Sequence, residues 1–317
     1  MSRGRSVIVW GAVVLAGLTG SLPRAAGQAT LKVETHLIDT TVSVHDAEGG
    51  NVKDLTADDL AIVEDGIPQT IRFFSRAEQL PLSVSLVIDE SGSQDKFVKQ
   101  HEQDIAEFLR QTIEPQDQAF AICFGNKLRL VSDWSNSGAA IVDGIRRFDK
   151  GDRTFPEIGP KEDRDLGTAL NDAVFYAIHD RMSGIHQRRK VLLVFSDGEE
   201  NSSEHDLLDV VQAAQEEDVL VYAIRYTENK GSKINARDRY GIRELDHLTA
   251  QTGGKSYDAR AMKVSQAFAE IAGDLRSLFG VAYQSTNRVR DGAYRKVVIQ
   301  SKRPGLTVRA RAGYYAR

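Results

Sequence analysis

The sequence predicts an α/β fold, in which a doubly wound, mostly parallel sheet is inserted in a small β domain. Two observations lead to this prediction. Between residues 82 and 280, short apolar runs alternate with amphipathic stretches, the pattern of repeated βα units. On either side, residues 31–76 and 281–317 show Thr- and Val-rich alternation and turn residues that are typical of β-strands. We therefore expect the two end segments to pair with each other.

The composition is that of an ordinary globular protein. Of the 317 residues, 41% are hydrophobic and 27% are charged, which argues against wholesale disorder. The single cysteine, Cys123, excludes an intrachain disulfide and is expected to be a buried residue of a strand.

The first 29 residues have the features of a secretory signal peptide. Arg3 and Arg5 give a positive start, Val7–Leu18 is apolar, and Ala25–Ala29 offers small residues for cleavage. The apolar stretch is shorter than the roughly 20 residues that span a bilayer. We therefore expect cleavage rather than an anchor, and an exported chain, periplasmic or extracellular, without a transmembrane segment.

The charge of the remaining chain argues against nucleic acid as a partner. The signal segment carries three arginines and no acid, so its removal lowers the formal net charge from −4 to −7. An acidic chain without a basic stripe is a poor nucleic-acid binder.

The α/β stretch interrupts the β segments, and the domain boundaries follow from this. The N-terminal β segment is too short for a secure core of its own. Its strands include Leu60–Glu64, with Asp65-Gly66 as a hairpin signal. The predicted parts are a signal peptide at 1–29, a small β domain at 30–80 and 281–317, and the α/β domain at 81–280.

A carboxylate and two hydroxyls follow the first strand of the α/β domain. Leu82–Ile88 is almost entirely apolar, as in a parallel strand buried on both faces, and it continues into Asp89-x-Ser91-x-Ser93. Ligands of open α/β sheets bind beyond the carboxyl ends of the strands. Oxygen-only groups at this spacing suit a hard divalent cation such as Mg²⁺.

Two further residues are expected at the same edge of the sheet. Thr168 stands where a helix begins after a long loop, and Asp197 follows the apolar strand Val191–Phe195. Taken singly, such residues are ordinary turn and cap residues. Two carboxylates and three hydroxyls in this βα context favour metal binding, and so few negative ligands would leave the cation attractive to an acidic group from outside.

These residues carry a resemblance to a known family. Ser85–Gly280 resembles the von Willebrand factor A domain with its metal-ion-dependent adhesion site, whose motif is Asp-x-Ser-x-Ser, a distant Thr, and an Asp commonly followed by Gly. The motif falls on Asp89, Ser91, Ser93, Thr168 and Asp197. The resemblance implies a Rossmann-like fold and a cation, Mg²⁺ or else Mn²⁺ or Ca²⁺.

The resemblance also implies a role for each motif residue. Ser91 and Ser93 would bind the metal directly, and Thr168 directly or through water. Asp89 and Asp197 would act largely through waters. A Glu or Asp of a protein partner would complete the octahedron, so the implied function is metal-dependent protein binding or cell adhesion.

A second resemblance covers nearly the whole chain after the signal segment. Val63–Gly66 and the ending Val308–Tyr315 look like the exported VWFA-related proteins of acidobacteria. This resemblance agrees with export but implies no particular partner.

Two residues near the motif allow separate interpretations. Glu90 stands where small or apolar residues are commoner, and we expect its side chain to point into solvent. Asp172 lies one helical turn after Thr168 and is either a supporting partner of the site or a polar residue of the helix face.

We predict a binding module rather than an enzyme. No Gly-x-Ser-x-Gly motif surrounds Ser91 or Ser93, and His-Glu-x-x-His is absent. His101 and His179 fall in predicted helices and are expected to be surface or capping residues. The alternatives are a structural or envelope-assembly protein with a vacant metal site, acting by β-edge pairing, and a hydrolase. The oligomeric state is left open.

Overall fold

The computed structural model describes residues 37–76, 80–125, 127–159, 167–227 and 235–317. Within the N-terminal part, Thr56 begins a short helical turn, and the Asp59 carboxylate accepts hydrogen bonds from the Thr56 amide and the Thr56 hydroxyl, both at 2.9 Å. Asp65 and Gly66 form the predicted hairpin, with φ of 48° and 84°. The four strands of this part are β1 (Leu37–His45), β2 (Leu60–Glu64), β3 (Ile67–Gln69) and β4 (Ile71–Arg76).

The middle of the chain alternates strands and helices, as predicted. The strands are β5 (Leu82–Asp89), β6 (Gln118–Phe124), β7 (Leu128–Ser135), β8 (Arg189–Ser196), β9 (Val219–Arg225) and β10 (Ser256–Asp258). The helices are α1 (Val98–Thr112), α2 (Gly138–Asp149), α3 (Leu170–Tyr176, continued as a π-helical turn over Ala177–Met182), α4 (Leu207–Glu216), α5 (Ala236–Thr252) and α6 (Val264–Leu275).

The C-terminal part returns to β structure. The sequence pattern predicts a helix over Val264–Phe279, but α6 ends at Leu275, because Phe279 belongs to the next strand and its ring stacks on Phe74 at 5.2 Å. The four strands are β11 (Phe279–Gln284), β12 (Tyr294–Ser301), β13 (Thr307–Ala310) and β14 (Gly313–Tyr315).

The six strands of the middle part form one sheet in the order β10-β9-β8-β5-β6-β7. Five strands are parallel, and only β7 at one edge runs antiparallel. All eight residues of β5 are buried because this strand lies between β8 and β6. One core cluster includes residues of α1, α2 and α6, and the other includes residues of α3, α4 and α5. The predicted doubly wound α/β fold is confirmed, and Cys123 is buried in β6.

The end segments pair with each other in two antiparallel sheets, ordered β13-β1-β11-β4 and β14-β12-β2-β3. Strand β1 pairs with both β11 and β13, and β2 pairs with β12. Val42, Ile62, Val281, Ile299 and Tyr314 belong to their common core cluster. The α/β part is thus inserted between the two halves of a β unit, as predicted, whereas the domain boundaries at residues 30, 81 and 281 stay predictions.

No helix in the described part of the chain is long and apolar enough to cross a membrane. The predicted signal peptide at residues 1–29 lies outside the described residues and stays a prediction.

Candidate metal site

The predicted metal residues begin where β5 ends. Directly after β5, the Glu90 amide donates a hydrogen bond to the Phe124 carbonyl of the neighbouring strand β6, at 2.7 Å. Asp89 is fully buried, and its carboxylate accepts hydrogen bonds from the Ser91 amide (2.9 Å) and from the Ser196 hydroxyl (2.5 Å). Burial with two donors holds the Asp89 carboxylate in one orientation beneath the loop that carries the serines.

The hydroxyls of Ser91 and Ser93 lie side by side. Their Oγ atoms are 3.1 Å apart, and Ser93 also hydrogen-bonds the Asp197 carboxylate. Gln94 donates to the other side of this carboxylate, from Nε2 to Oδ2 at 2.8 Å. Ser91 is buried and Ser93 is exposed, so the cluster opens to solvent at Ser93.

Asp197 is positioned by a tight turn at the end of β8. Gly198 follows it with a φ of 82°, and a Cβ there would lie 2.3 Å from the Gly241 carbonyl of α5. Only glycine fits both the backbone angle and the close approach. The Glu199 amide closes the turn by donating to Asp197 Oδ1 at 2.9 Å.

Thr168 reaches the same edge of the sheet from the start of α3. Its amide donates to Asn201 Oδ1 (2.8 Å), and the Asn201 amide donates to the Thr168 carbonyl (3.1 Å). The next amide, of Ala169, donates to the Gly125 carbonyl at the end of β6. Thr168 is therefore held between the loop that follows Asp197 and the end of β6.

All five predicted residues lie at the carboxyl edge of the sheet. Hydrogen bonds join Asp89, Ser91, Ser93 and Asp197 to one another. The main chain of Thr168 is hydrogen-bonded to Asn201, in the loop that follows Asp197. Ser196 and Gln94, which hold the two carboxylates, were not predicted, although both are direct neighbours of motif residues. Strand alternation places Ser196 beside Asp89 only once the pairing of β5 with β8 is known.

Burial raises the pKa of both carboxyls at the site. The pKa of Asp89 rises to about 7, with Asp197 adding to the effect and the Ser196 and Ser91 bonds opposing it. Burial raises the pKa of Asp197 as well, against the bonds from Ser93 and Gln94. Within the described residues, no cluster of three or more His, Cys, Asp or Glu is placed to hold a metal. The donor set is instead two carboxylates with three hydroxyls, which suits a hard cation.

The expectation that Glu90 points into solvent is wrong. Its carboxyl lies against that of Asp149 at the end of α2, and its Oε1 atom is inaccessible to solvent. Burial, with Asp149 beside it, raises the pKa of Glu90 to about 9, and burial raises the pKa of Asp149 to about 6.

Asp172 is a buried supporting residue, so its interpretation as a polar helix-face residue is wrong. Its carboxylate accepts hydrogen bonds from the amides of Glu204 (3.2 Å) and His205 (3.0 Å) and contacts His205 Nδ1 at 2.8 Å. It holds the loop between Asp197 and α4 rather than the metal residues themselves.

The prediction that His101 is a surface or capping residue is also wrong. It is fully buried on the inner face of α1, where its ring meets that of Tyr226 at 4.4 Å. His179, by contrast, is exposed in the π-helical turn. No described histidine is therefore placed by a hydrogen bond beside Ser91 or Ser93.

Comparison with known proteins gives the family. The model of the von Willebrand factor type A domain matches residues 83–238, and no curated protein matches the chain. Among solved structures, an aerotolerance-related membrane protein from Bacteroides fragilis is 15% identical, with 61% of this chain and 98% of that chain covered and a TM-score of 0.44. The protein BatB from Bacteroides thetaiotaomicron is 17% identical, with 62% and 100% covered and a TM-score of 0.44.

A third structure, proximal thread matrix protein 1 from the mussel byssus with a zinc-occupied MIDAS motif, is 15% identical, with 67% and 50% covered and a TM-score of 0.47. The family match covers strands β5 to β9 of the six-stranded sheet and includes the residues that carry the Asp-x-Ser-x-Ser motif. Residues 83–238 of this chain are a von Willebrand factor type A domain.

Proposed function

We propose that the protein is a metal-dependent protein-binding or adhesion module whose cation coordinates an acidic residue of a partner. The observation that supports this most directly is the pair of hydroxyls of Ser91 and Ser93, 3.1 Å apart beside two buried carboxylates. Neighbouring ligands of an octahedral Mg²⁺ are about 2.9 Å apart, since each lies about 2.0–2.1 Å from the ion. The two hydroxyls thus have the spacing of adjacent ligands.

The charge of the donor set also fits this function. Ser91, Ser93 and Thr168 would bind as neutral hydroxyls, and Asp89 and Asp197 would act largely through waters. Mg²⁺ is the cation we propose, with Mn²⁺ or Ca²⁺ as substitutes. When bound, the ion supplies an electrophilic position that a carboxylate from a partner can occupy.

The surroundings of the serines support binding rather than catalysis. A serine nucleophile needs a base within hydrogen-bond reach. Ser91 contacts Ser93, and Ser93 contacts Asp197, whereas the buried His101 has no hydrogen-bond partner among the described residues.

We propose that the mature protein works outside the cytoplasm, as the predicted signal peptide implies.

One observation favours the alternative of a structural or assembly protein. Strand β4 is an edge strand, paired only with β11, and its Phe73 is 62% exposed. An extended segment of another chain could add to this edge by main-chain pairing. Under that alternative, association would be independent of metal.

Calorimetric titration of the full mature chain with MgCl₂ and MnCl₂ tests the proposal. We expect saturable binding that weakens by at least about tenfold in Ser93→Ala and in Asp197→Asn, because each change removes an oxygen that holds the ion or its waters. Ser75→Ala, on exposed β4, is the matched control and should bind like the wild type. Absence of any heat or thermal shift with Mg²⁺, Mn²⁺ or Ca²⁺ would favour the metal-independent alternative.

A pull-down from envelope extract extends the same test to the partner. We expect proteins that are retained in Mg²⁺, released by chelator, and not retained by Asp197→Asn. Retention that is equal with Mg²⁺ and chelator contradicts the proposed mechanism.

A further inference from the structure

A cavity of about 660 Å³ opens next to the candidate metal site. Its wall nearest the site is formed by Glu90 and Gly125. Glu90 stands between the motif residues Asp89 and Ser91, and a Cβ on Gly125 would lie 3.8 Å from the Ser91 Cα atom. A molecule bound at Ser91 and Ser93 therefore has this cavity beside it.

Five of the eleven described residues that line the cavity are lysines or arginines. Its charged residues are Lys96, Lys99, Lys127, Arg129 and Arg153 on the positive side, and Glu90, Asp95 and Asp149 on the negative side. Even if every carboxyl is ionised, the described lining residues carry two more positive charges than negative charges. This local excess contrasts with the chain as a whole, whose formal net charge is −4.

The arginines of the cavity are held in place by main-chain carbonyls, by an aromatic ring and, for Arg129, by one carboxylate. Arg153 donates to the Phe148 carbonyl at 2.6 Å and its guanidinium lies over the Phe148 ring at 4.2 Å. Arg129 donates to the Phe155 carbonyl at 2.8 Å and pairs with Glu157, which also lies 3.5 Å from Lys127. Counting Glu157 still leaves the cations in the majority.

Two exposed lysines line the cavity near the start of α1. Lys99 is exposed in the first turn of α1, and Lys96 is exposed just before it. The Lys99 side chain is exposed and can contact a carboxylate that enters from solvent. The arginines and lysines of the lining together give the cavity an attraction for an acidic ligand that reaches from the metal site.

We propose that this cationic cavity is a second anchor for the partner, and that the partner presents an acidic polypeptide segment rather than a single carboxylate. One carboxylate would occupy the metal, and further Asp or Glu side chains of the same segment would enter the cavity. The inference rests on the proposed function. A nucleic acid fits less well because the formal net charge of the chain, −4, disfavours a long polyanion.

Binding of two peptides to the full mature chain in Mg²⁺ tests the inference. One is pentaglutamate, and the other carries a single glutamate between glycines. We expect pentaglutamate to bind more tightly, with an advantage that shrinks as salt is raised. Lys99→Glu should weaken the binding of pentaglutamate by about three- to tenfold, as expected for the loss of one or two exposed ion pairs. It should leave the binding of the single-glutamate peptide nearly unchanged.

Lys53→Glu is the control, because it makes the same charge change at an exposed position of the N-terminal β part. It should leave the binding of both peptides unchanged. Equal binding of the two peptides overturns the inference, as does an equal loss in Lys53→Glu and Lys99→Glu. An oligothymidylate that binds in place of pentaglutamate, and as tightly, overturns the assignment to an acidic polypeptide.

Titration with Mg²⁺ alone separates this inference from the proposed function. If Mg²⁺ fails to bind but the binding of pentaglutamate still depends on Lys99, the metal mechanism is wrong and the cationic cavity remains supported as a binding site for an acidic segment. If Mg²⁺ binds and Lys99→Glu has no effect on pentaglutamate, the proposed function stands and the second anchor is wrong.

Discussion

At the level of single residues, the buried ring of His101 makes the stability of the fold depend on pH. The rings of Phe97, Phe195 and Tyr226 surround it, and neither nitrogen has a hydrogen-bond partner among the described residues. Burial lowers the pKa of His101 to about 3. In the unfolded chain the ring takes up a proton below about pH 6.5. The contribution of His101 to the free energy of unfolding is therefore lost as pH falls from about 6.5 towards 3.

We expect His101→Leu to remove this dependence. The free energy of unfolding of the variant, relative to wild type, should rise by about 1 kcal/mol for each pH unit below 6.5, because the unfolded variant no longer binds that proton. Urea denaturation at pH 7, 6 and 5 measures the difference. Exposed His247→Leu is the control. A difference between His101→Leu and wild type that is constant with pH would contradict the assignment.

At the level of elements, α6, the last helix of the α/β part, is tied to the terminal β sheets. Asp274 near the end of α6 accepts a hydrogen bond from Arg309 of β13 at 3.0 Å, and the Tyr222 hydroxyl donates to the same oxygen at 3.4 Å. His45 of β1 lies 3.6 Å away, but burial lowers its pKa to about 4, so it is neutral at pH 7. Arg309 is therefore the charged partner that this contact depends on.

We expect Arg309→Gln to destabilise the protein more at pH 8 than at pH 5. Burial raises the pKa of Asp274 to about 6, so at pH 8 the variant leaves a buried carboxylate without its cation, at a cost of about 1–3 kcal/mol. At pH 5 the carboxyl is mostly protonated and the cost is smaller. Thermal or urea unfolding at both pH values measures this.

Arg303→Gln is the control for loss of an arginine, since Arg303 pairs with the exposed Asp54. Its effect should be small at both pH values. A cost of Arg309→Gln that is the same at pH 5 and pH 8, or absent in both, would show that the pair with Asp274 does not hold α6 to the terminal sheets.

At the level of the whole molecule, both terminal sheets depend on the last strands of the chain. Strand β13 covers one edge of β1, and β14 covers one edge of β12. The α/β part has two core clusters of its own, whereas the terminal sheets share a third. The two parts therefore have separate apolar cores, although residues His36–Arg317 form one compact unit.

We expect a chain that ends at Leu306 to lose structure mainly in the terminal sheets. Removal of β13 and β14 uncovers the core around Val44 and Ile62, whereas the six-stranded sheet keeps its own core. Amide hydrogen exchange should show faster exchange in β1, β2 and β12 and lasting protection in β5 and β8. A chain that lacks only Arg317 is the control. Equal loss of protection in both parts would mean that they unfold as one unit.

Local signals in the sequence were sufficient for much of this architecture. The apolar run of β5, the Asp65-Gly66 turn and Gly253 at the end of α5, with a φ of 89°, each depend on neighbouring residues alone. The same holds for the position of Asp89 at the end of a buried strand. Burial of apolar runs and backbone angles that favour glycine act over a few residues, so they can be inferred without knowing the partners.

By itself, the sequence determined the α/β class, the insertion between two β segments and the five candidate metal residues. Only the tertiary structure decided that Glu90 meets Asp149, that His101 is buried, that Phe279 leaves the helix for a strand, and that Ser196 and Gln94 hold the site. The physical reason is that each of these depends on which distant segment supplies the neighbour. The chemistry of a side chain is local, but its burial and its charge depend on what the fold places against it.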